Sequence, residues 1–169
     1  MRVKSLLIFL FLFALGTGLS FLLLTLDDAW RWQAADRPPE SADSLLPPER
    51  VVSLAPNITE SVFALGAGNR VVGVTEFCSY PPQACKRTRV GGMLNPSFER
   101  ILRLQPDLIV AQEGSTQLQD FCNRHSIRLL VLRMQTIDTI RSGLVKLATA
   151  LGRQQAGRKL VAYIDAELG

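Results

Sequence analysis

From Arg50 onward, short apolar runs alternate with segments whose apolar residues recur every three or four positions. Runs at 51–55, 71–75, 107–111 and 128–132 are rich in Val, Ile and Leu, a composition that suits strands buried on both faces of a parallel sheet. Asn57, with Glu60 three residues later, predicts an N-cap and capping box for a helix carrying Ile58, Val62 and Leu65 on one face. A second helix is predicted over 98–104. Leu118, Phe121, Cys122 and His125 share one face of a third. Ile137, Ile140, Leu144, Leu147 and Leu151 stripe a fourth, which Gly152 closes. Arg153 opens a fifth, with Leu160, Val161, Ile164 and Leu168 along one side. This alternation predicts the α/β class: a Rossmann-like lobe with a parallel sheet over 50–152, then a further helix over 153–169.

Residues 1–49 follow another pattern. Arg2 and Lys4 form a basic start, and the 22 residues from 5 to 26 carry no charge. A signal-peptide core needs about 7–15 apolar residues and a membrane span about 20. The segment 1–26 therefore reads as a cleaved signal peptide or an uncleaved N-terminal membrane anchor. Both readings export the remainder to the periplasm or the outer face of the cytoplasmic membrane, with the N-terminus inside. No cysteine follows the apolar run closely, which leaves a lipid anchor unsupported. Trp30 and Trp32 read as an interfacial aromatic pair. Residues 27–49, with Pro38, Pro39, Pro47 and Pro48, read as a proline-rich linker.

Charge excludes some functions. The 169 residues carry a net +4, and residues 51–169 hold 14 Lys plus Arg against 9 Asp plus Glu, scattered along the chain. A nucleic-acid partner would require a basic stripe with interleaved aromatics. The single histidine, His125, argues against a receptor for bare zinc or manganese, which needs several His or carboxylate ligands. No metal site within the chain is expected. Gly66-Ala67-Gly68 follows a predicted helix instead of opening one, so it reads as a C-cap and turn, not a dinucleotide loop. No P-loop or nucleophile elbow occurs, and no catalytic residue is assigned. A nucleotide-dependent α/β enzyme remains only as a use the topology permits.

In parallel α/β sheets, ligands meet the loops at the carboxyl ends of strands. That rule selects residues 55–57, 76–80, 112–115 and 133–135, with 91–94 expected on the same edge. Pro56, Asn57, Phe77, Tyr80, Met93 and Gln112 are the candidate ligand contacts among them. An aromatic ring buries much area against a flat ligand, and Tyr adds a polar tip. Phe77 and Tyr80 each either meet a ligand or pack their loop onto the domain. Cys78 and Cys85 flank Tyr80-Pro81-Pro82 in a chain expected to be exported, where disulfides persist. They are expected to pair, closing a small loop worth about 2–3 kcal/mol. Cys122 is expected to be a buried free thiol.

Several motifs occur in one order: Ser53-Leu54-Ala55-Pro56-Asn57-Ile58-Thr59-Glu60, Tyr80-Pro81-Pro82-Gln83-Ala84, Val90-Gly91-Gly92, Asn95-Pro96-Ser97-Phe98-Glu99-Arg100 and Pro106-Asp107-Leu108-Ile109-Val110-Ala111. In this series the chain resembles the N-terminal lobe of ABC-importer substrate-binding proteins of the vitamin B12, haem and iron-siderophore group, its likeness greatest to the vitamin B12 branch. The resemblance covers roughly residues 50–169. It implies a non-enzymatic receptor without a resident cofactor. Its ligand would be a cobalt or iron chelate: a cobamide or ferric siderophore ahead of haem. The implied partner is an ABC permease of the type II importer class. Glu99 matches the docking glutamate that seats in an arginine pocket of the permease, although an acidic residue in a helix's first turn is also favoured by the macrodipole alone. Met93 stands where vitamin B12-binding relatives usually place a tryptophan. The resemblance also implies a second α/β lobe beyond the last helix, so the chain is expected to be a piece of a longer protein. A membrane-anchored sensor reusing the lobe is the alternative from another functional class.

Overall fold

The computed structural model describes residues 46–168; the expected signal or anchor segment, the Trp30 and Trp32 pair and most of the expected linker lie outside them. Five parallel strands form one sheet: β1 (Val51–Ser53), β2 (Val71–Val74), β3 (Thr88–Arg89), β4 (Leu108–Ala111) and β5 (Arg128–Val131), in the order β3-β2-β1-β4-β5. β1 pairs with β2 on one side and with β4 on the other, so the strand order reverses direction beside β1. Among the described residues, α1 (Pro56–Ala64) follows β1, α2 (Phe98–Arg103) joins β3 to β4, α3 (Thr116–Arg124) joins β4 to β5, and α4 (Ile137–Ala150) and α5 (Gln154–Leu168) follow the last strand.

Both faces of the sheet are covered, which explains why its strands read as continuous apolar runs. Val51, Val71, Val74, Leu108 and Val110 pack with Ile58 and Val62 of α1 and Leu144 and Leu147 of α4. Leu160, Val161 and Ile164 of α5 cover that cluster from outside. Val52, Ile109 and Ala111 face the other way, toward Ile101 of α2 and Leu118, Phe121 and Cys122 of α3. The Phe98 and Phe121 rings stack 4.6 Å apart, joining α2 to α3. Buried Gly157 lets α5 approach α4 closely, since a Cβ there would stand 2.4 Å from Ala148 Cβ. Arg141 Nε donates to Asp165 Oδ1 across the same pair at 2.6 Å.

Three expectations are corrected. Three of the strands end one or two residues earlier than their apolar runs, and β4 instead starts one residue later and ends at Ala111 as expected. Polar Thr88–Arg89 adds an edge strand that has no apolar run to announce it. Asn57 does not cap α1. Pro56 occupies the first turn, where its missing N–H costs nothing, and Ala55 is the N-cap, with no side-chain oxygen to make a cap bond. Asn57 Nδ2 instead lies 4.0 Å from Met134 Sδ. A reciprocal capping box does exist at α4, built from Thr136 and Thr139. The end of the expected linker belongs to the lobe: Pro48 is buried, and Glu49 and Arg50 backbone N–H groups donate to the Asp107 carboxylate at 2.7 and 3.1 Å.

Candidate functional site

A cavity of about 520 Å³ opens at the carboxyl edge of the sheet, against the ends of β1 and β4. This is where loops leave adjacent strands in opposite directions and a crevice forms. Its floor is apolar: Leu54 follows β1, Ala111 ends β4, and Leu118 projects from α3. One wall is Phe77, on the segment leaving β2. A second wall is the turn from Met93 to Pro96, and the segment from Gln112 to Ser115 forms the remaining rim. An apolar concavity with a few amide, carboxylate and hydroxyl groups is the ordinary chemistry of a small-molecule site.

The wall loops are held by backbone bonds. Gly91 and Pro96 form an isolated antiparallel bridge, and Ser97 N–H donates to Val90 O at 2.7 Å, closing residues 91–96 into a hairpin. Gly91 has φ +100°, a left-handed conformation that glycine adopts freely. Gly92 leaves room for the Asn95 side chain: a Cβ there would stand 2.3 Å from Asn95 Oδ1 and make that amide move. The hairpin joins the Phe77 segment because Glu76 N–H donates to Gly91 O at 3.1 Å. Met93 and Leu94 are exposed on this hairpin, as is Phe77 across from them. On the opposite rim, Ser115 is the N-cap of α3, its Oγ accepting from Leu118 N–H at 3.1 Å.

The structure brings three of the expected ligand contacts together: Phe77, Met93 and Gln112 all line the cavity. Pro56, Asn57 and Tyr80 are not among its lining residues. Pro56 and Asn57 begin α1, whose buried side faces the other layer of the core, beside Met134. Tyr80 is exposed beyond Cys78, on a segment that folds back on itself where Ala84 N–H donates to Pro81 O at 2.8 Å.

The expected Cys78–Cys85 disulfide is not formed, and both are free thiols. Cys78 is fully buried, its Sγ between Thr59 Oγ1 and Thr75 Oγ1 at 3.2 and 3.1 Å. Cys85 is exposed, and its thiol donates to Ser79 O at 3.1 Å. The inward turn at Cys78 is what separates them. Cys122 is a buried free thiol, as expected, and burial pushes it up to about 11. His125 is the C-cap residue of α3, with its ring 4.8 Å from Phe121. Glu99 stands exposed in the first turn of α2, paired with Arg103.

Leu54, Pro96, Ala111 and Leu118 line the cavity without having been expected there. Leu54, Ala111 and Leu118 have the sequence signature of core residues, and only the packing shows that they border a cavity; Pro96 is a half-buried turn residue. Leu94, Glu113 and Ser115 lie on segments singled out from the sequence, but no individual signal selects them, whereas Asn95 is a recognition-type residue of the Asn95-Pro96-Ser97 motif.

The sequence profile of the periplasmic binding protein family matches residues 51–169. A vitamin B12-binding protein of Pectobacterium carotovorum subsp. carotovorum is 37% identical over 125 residues, covering 72% of this chain and 45% of that protein. Among solved structures, the periplasmic vitamin B12 binding protein BtuF of Vibrio cholerae is similar with a TM-score of 0.65 and 31% identity, over 72% of this chain and 49% of that one. The periplasmic heme-binding protein RhuT from Roseiflexus sp. RS-1 gives 0.64 and 32%, over 70% of this chain and 47% of that one. The chain thus spans less than half the length of these relatives. With a matching sequence profile over the whole lobe, and the cavity where that lobe's strand order reverses, the chain belongs to the periplasmic binding protein family.

Proposed function

We propose that this chain supplies a ligand-capturing lobe of a substrate-binding component of an ABC importer. On this reading it acts outside the cytoplasmic membrane, where it takes up a metal-chelate nutrient and presents it to a type II permease. The function is capture and delivery, without catalysis. The observation that carries the proposal is the convergence of Phe77, Met93 and Gln112 on one apolar cavity at the strand-order reversal. A corrin or a ferric chelate offers a broad, partly apolar surface with peripheral amides or carbonyls. Phe77, Met93 and Leu54 would cover the flat part, while the Gln112 amide and Asn95 would meet the polar rim. Similarity to proteins named for vitamin B12 and heme supports the chelate class. On this reading a cobamide or ferric siderophore comes ahead of haem, in keeping with the resemblance to the vitamin B12 branch.

Calorimetric titration of the 169-residue chain with cyanocobalamin, a ferric hydroxamate and haemin tests this. Saturable binding of one of the first two is expected, weak because a single lobe encloses only part of the ligand, and weakened at least about tenfold further by Phe77→Ala. No heat with any of the three, or binding indifferent to Phe77→Ala and Gln112→Ala, would refute it.

A further inference from the structure

Phe77 combines an exposed ring with a tightly held backbone. The residue is 64% exposed. The peptide before it is tied by the Glu76 N–H to Gly91 O, and the residue after it by the Cys78 N–H to Thr75 O at 3.3 Å. Cys78 also anchors its own side chain in the core. The remaining bonds come from one side chain. Arg89 Nη1 donates to Thr75 O at 2.7 Å and to Cys78 O at 2.8 Å, the two carbonyls that bracket Glu76 and Phe77. Arg89 is itself placed by the sheet: it pairs with Val74 in β3, and its own carbonyl accepts from Arg100 Nη1 at 3.4 Å.

We propose that Arg89 is a positioning residue for ligand capture, holding Phe77 in its binding conformation before the ligand arrives. The inference rests on the reading of Phe77 as a ligand contact. Two carbonyls, one of which also accepts from the Cys78 N–H, converge on a cation. Hydrogen bonds from a cation are about twice as strong as neutral ones. An aromatic side chain on a loose segment must be ordered when it binds, and that cost is subtracted from affinity. On a clamped segment the cost is met by folding. The clamp also gives the edge strand β3 a role: it is too short and polar to add much to the core, but its register delivers Arg89 to the Phe77 turn.

Arg89→Met keeps the aliphatic stem and removes the donors, whereas Arg89→Lys keeps a charged donor. Cyanocobalamin is the probe, with the full chain. Arg89→Met should weaken binding about tenfold in the parent, but less than about twofold in a Phe77→Ala background, since the two residues act as a unit. Arg89→Lys should recover affinity to within about threefold. Amide hydrogen exchange gives a readout independent of ligand: Cys78 N–H should exchange at least about tenfold faster in Arg89→Met, with Ile109 and Val110 unchanged. Equal losses in both backgrounds, or unaltered exchange at Cys78, would overturn the proposal. Should Phe77→Ala itself leave affinity unchanged, the contact reading of Phe77 fails and the claim of positioning for capture falls with it. The exchange data would still show whether Arg89 holds the turn.

Discussion

The Cys78 sulfur lies 3.2 Å from the Thr59 hydroxyl, in a fully buried cluster where α1 packs over the end of β2. Thr59 Oγ1 also donates toward Ser53 Oγ at 2.8 Å, so the thiol joins a hydroxyl network inside the core. A thiol so placed is shielded from reagents, whereas Cys85 is on the surface. Ellman's reagent should therefore label Cys85 in the folded chain, and label Cys78 and Cys122 only after denaturation. Peptide mapping without reductant should show no Cys78–Cys85 link. Recovery of that link would contradict the arrangement.

Cys122 makes stability depend on pH in the alkaline range. Burial raises its folded pKa to about 11 from an ordinary value of 9.0. Below pH 9 the thiol is protonated in both states and its contribution is fully present. Between 9 and 11 the unfolded chain loses the proton while the folded chain keeps it, so stability falls as pH rises. The loss is on the order of 1–3 kcal/mol. Urea unfolding under reducing conditions at pH 8 and pH 11 should show a smaller decline for Cys122→Ala than for the parent. Identical declines would show that the thiol is not the group responsible.

Gly91→Ala should damage the cavity wall. A Cβ at φ +100° is strained in itself, and it would stand 3.0 Å from Asn95 O and 3.1 Å from Ser97 N, both backbone atoms. A cost of about 1–3 kcal/mol is expected, with weaker ligand binding because Met93 shifts. Gly66→Ala is the control: it also has positive φ but nothing within 4 Å, so it should lower stability without changing affinity. The comparison is read by thermal denaturation together with calorimetry.

The Glu99–Arg103 pair is exposed at both ends, so its loss should cost less than about 1 kcal/mol. Glu99→Arg should accordingly leave folding and ligand capture intact. If Glu99 docks on permease arginines, the reversal places like charges in contact and abolishes coupling. Transport and complex formation in the assembled importer are the measurements. Survival of both would reduce Glu99 to a helix-end charge.

Much of the lobe was legible because its layers impose one pattern. Val51, Val71, Ile109 and Val110 belong to strands covered on both faces, and such strands must be apolar throughout. The stripe from Leu144 to Leu151 must be buried against another element, and here the sheet and the last helix both cover it. The loops at the carboxyl edge followed from the parallel topology, which is how Phe77, Met93 and Gln112 could be named before their meeting in space was seen. The rest depended on side-chain direction. Pro56 and Tyr80 sit on loops of the same edge yet miss the cavity, because α1 turns its first residues toward the other layer and the chain turns inward at Cys78. Spacing suggested that Cys78 and Cys85 could pair, but it carries no information about which way a side chain points. Periodicity likewise marks Leu54 and Leu118 as buried, yet only the packed lobe shows where the core stops and a cavity begins. Sequence pattern determined the elements, their order and the edge that binds, because burial acts on every residue of a strand or helix face. Tertiary structure alone decided which of those loop residues converge, because convergence is set by register, turn geometry and backbone bonds such as those of Arg89, and these link positions far apart in the chain.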